Sequence, residues 1–316
     1  MRSYSKGIIS FYCEITGMRQ EKLRKASTPC LLENQTTDEE LAHEGEMHAF
    51  AARILMKCLW LSRLARPDIS FAVQRLASRI TRWTKWEDRQ MLRLVSYLNS
   101  TCEYVMRAAV EPDQAPTLLV YTDSDFASCP YTSKSTSGVV FVLRTGSACF
   151  PLLWSSKKQS STARSTTEAE LIASPSALFG EALNLHTMVE SLTEVHVPVS
   201  FQQDNQAAIT VIQSGYSAKL RHSGRVHRVN VASIHEQLDQ GIFDLDYCET
   251  TAQLANGFTK VIGQAECNKL SNNYVSLLTD EFKEDVEIGQ ANLCHGPRNC
   301  LTVYMYSTRV ELLICV

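Results

Sequence analysis

The chain has 316 residues, 44% of them hydrophobic and 21% charged, with a formal net charge of −3. That balance excludes a disordered chain and gives no global attraction to nucleic acid, so any such contact needs a local basic patch. Eleven cysteines stand without a C-x-x-C pair, which points to reduced thiols rather than a disulfide framework or a zinc finger. No apolar run approaches the roughly 20 residues of a membrane span. The expectation is an intracellular protein, cytoplasmic or nuclear, neither secreted nor membrane-bound.

Residues 1–40 carry weak periodicity and read as a poorly defined segment ending in the polar "ENQTTDEE". Residues 41–110 read as helical. Phe50, Ile54, Cys58 and Leu61 fall at three- and four-residue steps. Pro67 and Asp68 mark a helix start, followed by a stripe of Ile69, Ala72, Val73, Leu76 and Ile80. "WEDRQMLRLVSYLNS" aligns Met91, Leu94, Val95 and Leu98 as a third helix.

The pattern then changes. "TLLVYTD", "SGVVFVL" and "CFPLLWS" are short, β-branched and turn-separated, as in an antiparallel meander. "STTEAELIASPSALFGEALNLHTMVESL" predicts a long helix that Pro175 should kink or break near Ser174. A strand at "VPVSFQQ", helices at "NQAAITVIQSG" and "VNVASIHEQLDQG", and a strand at "IFDLDYC" follow. The order predicts an α/β mixed five-stranded sheet with flanking helices. Residues 263–316 show no coherent period and read as an irregular tail.

Asp123 ends the first of these strands and Asp204 the fourth, where α/β sheets gather ligands. Taken singly, each also reads as a helix or turn cap. On the long helix Glu168 and Glu170 lie about 200° apart, so only one faces the sheet. "STTE" has the form of a capping box, which occupies Glu168 at the helix start. Glu170 shares a face with Leu171, Ala173 and Ala177 and is the candidate third acid.

Four segments in order, "YTDSDFAS…TSKSTSGVVFVL", "WSSKKQSSTARSTTEAELIA", "DNQAAI" and "QLANGFTK", resemble the ribonuclease H domain of copia-type retrotransposon Pol polyproteins. That domain would span 115–262. "LARPDISFAVQRLASRI…LRLVSYLNSTCEY" resembles the reverse-transcriptase thumb and connection that precede it, placing 41–110 there. The resemblance implies endonucleolytic hydrolysis of the RNA strand of an RNA–DNA hybrid. It implies two Mg²⁺ ions, with Mn²⁺ as a substitute, held by Asp123, Glu170 and Asp204. The family's fourth carboxylate falls at Asn256, which can offer an oxygen but no charge. Weaker binding of one metal and slower turnover are expected.

An impaired site leaves a second reading open: a degenerate remnant that keeps the fold without catalysis, also suggested by Pro175 and the tail. Polymerase chemistry is excluded by the lack of an adjacent Asp-Asp; palm and fingers would be a separate partner portion. For the hybrid's phosphates, Lys157, Lys158 and Arg164 form one basic group around the meander. Lys219, Arg221, Arg225 and Arg228 form a denser second group, and both also read as ordinary solvated charge. Two other motifs read poorly as metal sites. The histidines of "HEGEMH" are five residues apart, about 140° of helical turn, and "CHGPRNC" has no partner pair.

Overall fold

The computed structural model describes residues 2–111, 113–227, 229–265 and 267, and the backbone alone of 275–277, 300–306 and 309–315; within the first range the side chains of 105 and 107 are also left out. The chain divides into two compact units, one of Met1–Ala109 with Val261–Val316, the other of Val110–Lys260.

The first unit is a helical bundle. Helix α1 (Arg2–Thr16) forms in the segment expected to be poorly defined; it buries Ile8, Ile9 and Tyr12 against α3 and α5. After the short α2 (Asp38–Ala42), α3 (His48–Leu64) buries Ile54, Cys58 and Leu61, but Phe50 in its first turn is exposed. Helix α4 (Ser70–Ala77) buries Ala72, Val73 and Leu76, and Ile69 is buried just before it. Ile80 is only half-buried beyond its end. In α5 (Lys85–Ser100) all four expected residues are buried, and the Glu87 carboxylate accepts the Thr84 N–H at 2.9 Å to close the helix start.

Asp68 does not cap a helix. A single 3₁₀ turn covers Pro67–Ile69, and Asp68 receives the buried Arg66 guanidinium at 2.7 and 2.9 Å and the Tyr97 hydroxyl at 2.8 Å. Arg66 also donates to the Thr101 carbonyl and hydroxyl. A buried ion pair is tolerable only when its remaining donors are satisfied in this way. Strand β1 (Tyr104–Val110) leads out of the bundle.

The second unit is built on a five-stranded sheet of β2 (Pro116–Ser124), β3 (Thr136–Thr145), β4 (Ala148–Lys158), β5 (Val199–Gln203) and β6 (Asp244–Tyr247). Its order is β4-β3-β2-β5-β6. The first three strands are antiparallel neighbours, whereas β5 runs parallel to β2 and β6 parallel to β5. This is the mixed sheet expected, with the strand order of the ribonuclease H fold. A parallel neighbour requires a long crossover, supplied here by the helix that starts with α6 (Thr166–Pro175).

Pro175 does not stop that helix. It keeps helical angles (φ −64°, ψ −36°), and a π-helical stretch Ser176–Ala182 carries the chain into α7 (Leu183–Thr193). Proline has no N–H for the Leu171 carbonyl; the chain absorbs the loss by switching to i→i+5 bonding, with the Leu183 N–H reaching the Leu178 carbonyl. Helices α8 (Gln206–Ser214), the single-turn α9 (Ser223–Val226) and α10 (Val231–Asp239) complete the unit. Leu118, Val120, Phe141, Leu171, Phe201 and Ile212 form its core. Each large side chain contributes about 1.5–3 kcal/mol on burial.

In the C-terminal segment the sequence shows no period, yet β7 (Val275–Leu277), β8 (Cys300–Tyr306) and β9 (Arg309–Cys315) join β1 in the order β7-β1-β9-β8. The "CHGPRNC" motif lies outside the described residues except for the backbone of Cys300. No described helix is long and apolar enough to cross a membrane. The eight described cysteines are free thiols.

Candidate active site

Strands β2 and β5 are parallel neighbours, so their C-terminal ends lie side by side. Asp123 stands at the end of β2 and Asp204 directly after β5, while α6 crosses above with Glu170 turned inward. One carboxylate oxygen from each of Asp123, Glu170 and Asp204 lies within 4.8 Å of the other two. Asp123 is 8% exposed and Glu170 4%. The cap reading of the two aspartates gives way to this convergence. Asn205, not Asp204, caps α8, with its side chain accepting the Ala208 N–H at 3.0 Å.

Neighbours fix the three acids. Glu170 accepts the Ser124 N–H at 3.0 Å, which ties the helix to the end of β2. The buried Gln203 accepts the N–H groups of Asp204 (2.9 Å) and Asn205 (3.1 Å) and turns its amide nitrogen toward Glu170 at 3.5 Å. Burial first, then the charges of Asp123 and Asp204, push the Glu170 carboxyl up to about 9. Asp123 is also raised, mainly by burial, with the Thr259 hydroxyl and Lys260 pulling the other way. Such a pocket favours protonated acids until a cation enters.

Asn256 lies in a 3₁₀ turn, Leu254–Phe258, not an α-helix. Its amide nitrogen donates to the Thr250 carbonyl at 2.7 Å and its oxygen accepts from Lys260 at 3.2 Å, so both ends of the amide are engaged by the local chain. The link from this turn to the acids is Thr259, whose hydroxyl lies 2.5 Å from Asp123 Oδ2 and 3.0 Å from the Asn256 carbonyl oxygen. Gly138, paired with Asp123 across β2 and β3, makes room for the turn: a Cβ there would stand 2.7 Å from the Ala255 carbonyl oxygen and 2.8 Å from Thr259. Gln253 anchors it from the other side by donating to the Thr122 carbonyl at 3.0 Å.

Sequence reasoning missed Thr259, Gly138, Gln203 and Asp125. Asp125 accepts the Thr136 N–H at 2.6 Å, and burial above all pushes its carboxyl up to about 6. The only signal for it was the second aspartate of "TDSD". Flanking Asp123, Tyr121 is half-buried and Phe126 is exposed.

Glu168 differs from its expected role. Ser165 does cap α6, accepting the Glu168 N–H at 3.1 Å, but the carboxylate does not reach back to close a capping box. It accepts the Arg164 N–H (2.7 Å) and the Ser223 hydroxyl (2.7 Å) and lies beside both His222 and His227. These contacts bring the loop of Arg164 next to the segment of Lys219, Arg221 and Arg225, all four exposed. Arg221 stacks on Tyr216 and donates to its hydroxyl at 2.7 Å. Lys157 and Lys158 end the edge strand β4, where Lys158 reaches Cys129 Sγ at 2.7 Å. Arg228 lies outside the described residues. In "HEGEMH", His43 accompanies the Glu39 carbonyl and His48 the Glu44 carboxylate, so the two point to separate partners.

No family model matches the chain. It is 26% identical over 211 residues to the retrovirus-related Pol polyprotein from transposon RE2 of Arabidopsis thaliana, which covers 65% of this chain and 14% of that one. The polyprotein from transposon RE1 of the same plant is 26% identical over 204 residues, covering 63% and 13%. The chain therefore spans about a seventh of the length of these relatives. A solved ribonuclease H, LC11-RNase H1 from compost, shares 15% identity with a TM-score of 0.32, covering 45% of this chain and 92% of that one. By sequence, the chain is a homologue of the Pol polyproteins of copia-type retrotransposons.

Proposed function

We propose that the chain is a Mg²⁺-dependent endonuclease that hydrolyses the RNA strand of RNA–DNA hybrids. The observation that carries the reading is the convergence of Asp123, Glu170 and Asp204 within 4.8 Å at the ends of two parallel strands. The donor set fits the ion: hard carboxylate oxygens suit Mg²⁺, which keeps the rest of its shell as water and substrate phosphate. When bound, the metal supplies an activated water and stabilises the leaving oxygen.

The chain's own residues do the rest. Ser124 and Gln203 hold Glu170 over the strand ends, and Thr259 orients Asp123. Asn256 is the fourth ligand position, weakened because its oxygen already faces Lys260. Lys157, Lys158, Arg164, Lys219, Arg221, Arg225 and Arg228 are assigned to the phosphate backbones, a sequence-independent contact. Residues 115–262 form the nuclease domain, 41–110 the thumb-like segment, and a polymerase palm and fingers are the implied partner portion.

A second reading, a remnant that binds without cleaving, draws on the same Asn256 contacts. Cleavage of a labelled RNA–DNA hybrid across a Mg²⁺ series, wild type beside Asp123→Asn, separates the two. Cleavage that needs metal and disappears in the variant establishes the nuclease. No cleavage at any metal concentration, from protein folded by circular dichroism, leaves only the remnant.

A further inference from the structure

On the flank of α6 opposite Glu170, two chain segments meet at one carboxylate. Glu168 Oε1 lies 2.7 Å from His222 Nε2 and 3.1 Å from His227 Nε2, and it also takes the Ser223 hydroxyl at 2.7 Å. The Glu168 and His227 side chains are each 1% exposed and that of His222 24%. His227 Nδ1 is engaged by Ser161 Oγ at 2.6 Å, which turns Nε2 toward Glu168. His222 Nε2 is buried and makes no directional hydrogen bond among the described residues, although a carboxylate oxygen is 2.7 Å away. It is near the oxygen without being aimed at it. Ligands that point to a common centre rather than to each other have this geometry.

We infer that Glu168, His222 and His227 form a binding site for a zinc-class divalent ion, separate from the acidic site. Two imidazoles and one carboxylate are a donor set that suits Zn²⁺ and not Mg²⁺. Ligands about 2.0–2.1 Å from a tetrahedral ion stand about 3.4 Å apart, so the His227 separation needs to open by about 0.3 Å and that of His222 by about 0.7 Å. The Ser161 contact on the far nitrogen of His227 is the outer-shell bond that metal-ligating histidines ordinarily make. The fourth position is left to water. The ion pins the segment Arg221–His227 to the first turn of α6 and fixes Arg164, Arg221 and Arg225 as one array. This site does not depend on the nuclease reading.

Co²⁺ titration of the chelator-stripped full chain tests it, since Co²⁺ in a four-coordinate site has strong visible bands. One Co²⁺ per chain is expected, displaced by Zn²⁺ and retained in Asp123→Asn. Affinity should fall at least about tenfold in His222→Gln and His227→Gln, and by about tenfold in Ser161→Ala. His222→Gln changes the more exposed ring and serves if His227→Gln fails to fold. The inference is overturned by no visible band, by a thiolate-to-cobalt charge-transfer band that puts the ion on cysteine, or by uptake lost in Asp123→Asn and kept in the histidine variants.

Discussion

Glu170→Gln removes an ionisable group from a place where burial disfavours its charged form. In the folded chain burial and the neighbouring aspartates raise this carboxyl to about 9, against 4.5 for an ordinary glutamate. A group raised on folding stabilises fully below its unfolded value, and that contribution is lost as pH rises through the folded value. The window is therefore about pH 4.5 to 9. Within it, keeping the proton costs the folded state about 1.4 kcal/mol per pH unit, an upper limit of ~3 kcal/mol between pH 5 and pH 7. Glutamine has the same shape and no such dependence. In chelator, urea unfolding should find Glu170→Gln level with wild type near pH 4.5 and more stable at pH 7 by about 1–3 kcal/mol. Mg²⁺ should reverse the order, because the ion stabilises only the chain that can offer a carboxylate. A variant no more stable than wild type at pH 7 without metal would show that Glu170 sits in a polar, solvated place, and the reasoning about the site would fail with it.

The other predictions test single contacts. Asn256→Asp breaks the bond to the Thr250 carbonyl, costing about 1 kcal/mol, but adds a charge beside Lys260; if position 256 is the fourth ligand, it should lower the Mg²⁺ needed for half-maximal rate several-fold in the cleavage assay. Thr259→Val removes the donor that stabilises ionised Asp123, so Asp123 titrates higher and the acid limb of the pH–rate profile should move up by about one unit. Gly138→Ala drives a methyl into the Ala255 carbonyl; it should cost about 1–3 kcal/mol in unfolding and lower cleavage at saturating Mg²⁺. Asp68→Ala strands the buried Arg66 guanidinium and should cost about 3–5 kcal/mol of denaturant stability.

What the sequence disclosed and what it hid follow from the range of the forces involved. Strands and the α3–α5 helices announce themselves because their hydrophobic period is local: Met91, Leu94, Val95 and Leu98 need no distant partner to be read as one buried face. The three acids were legible for a different reason, since each ends or faces an element whose position the pattern already predicts. Helix α1 carries the same local period, with Ser5, Ile8, Ile9 and Tyr12 at i, i+3, i+4 and i+7, and was not recognised. Nor was the role of Pro175. The rule that proline ends a helix treats i→i+4 bonding as the only choice, and the π-helical stretch is the alternative it omits.

Glu168 is the sharper case. Its local signal, Ser165 three residues before a glutamate, describes a capping box, and half of that box forms. The other half loses to partners 54 and 59 residues further along the chain, His222 and His227. A helix-start N–H is a neutral donor worth about 1 kcal/mol, whereas imidazoles can bring charge or carry a metal, and charge-assisted contacts are roughly twice as strong. One oxygen turns to these distant partners, while the other keeps a local one, the Arg164 N–H at 2.7 Å. At Asn256 both partners are local: Thr250 and Lys260 hold the two ends of its amide, so the side chain is satisfied without metal. Asp there would give up the Thr250 contact and meet Lys260 as a charge.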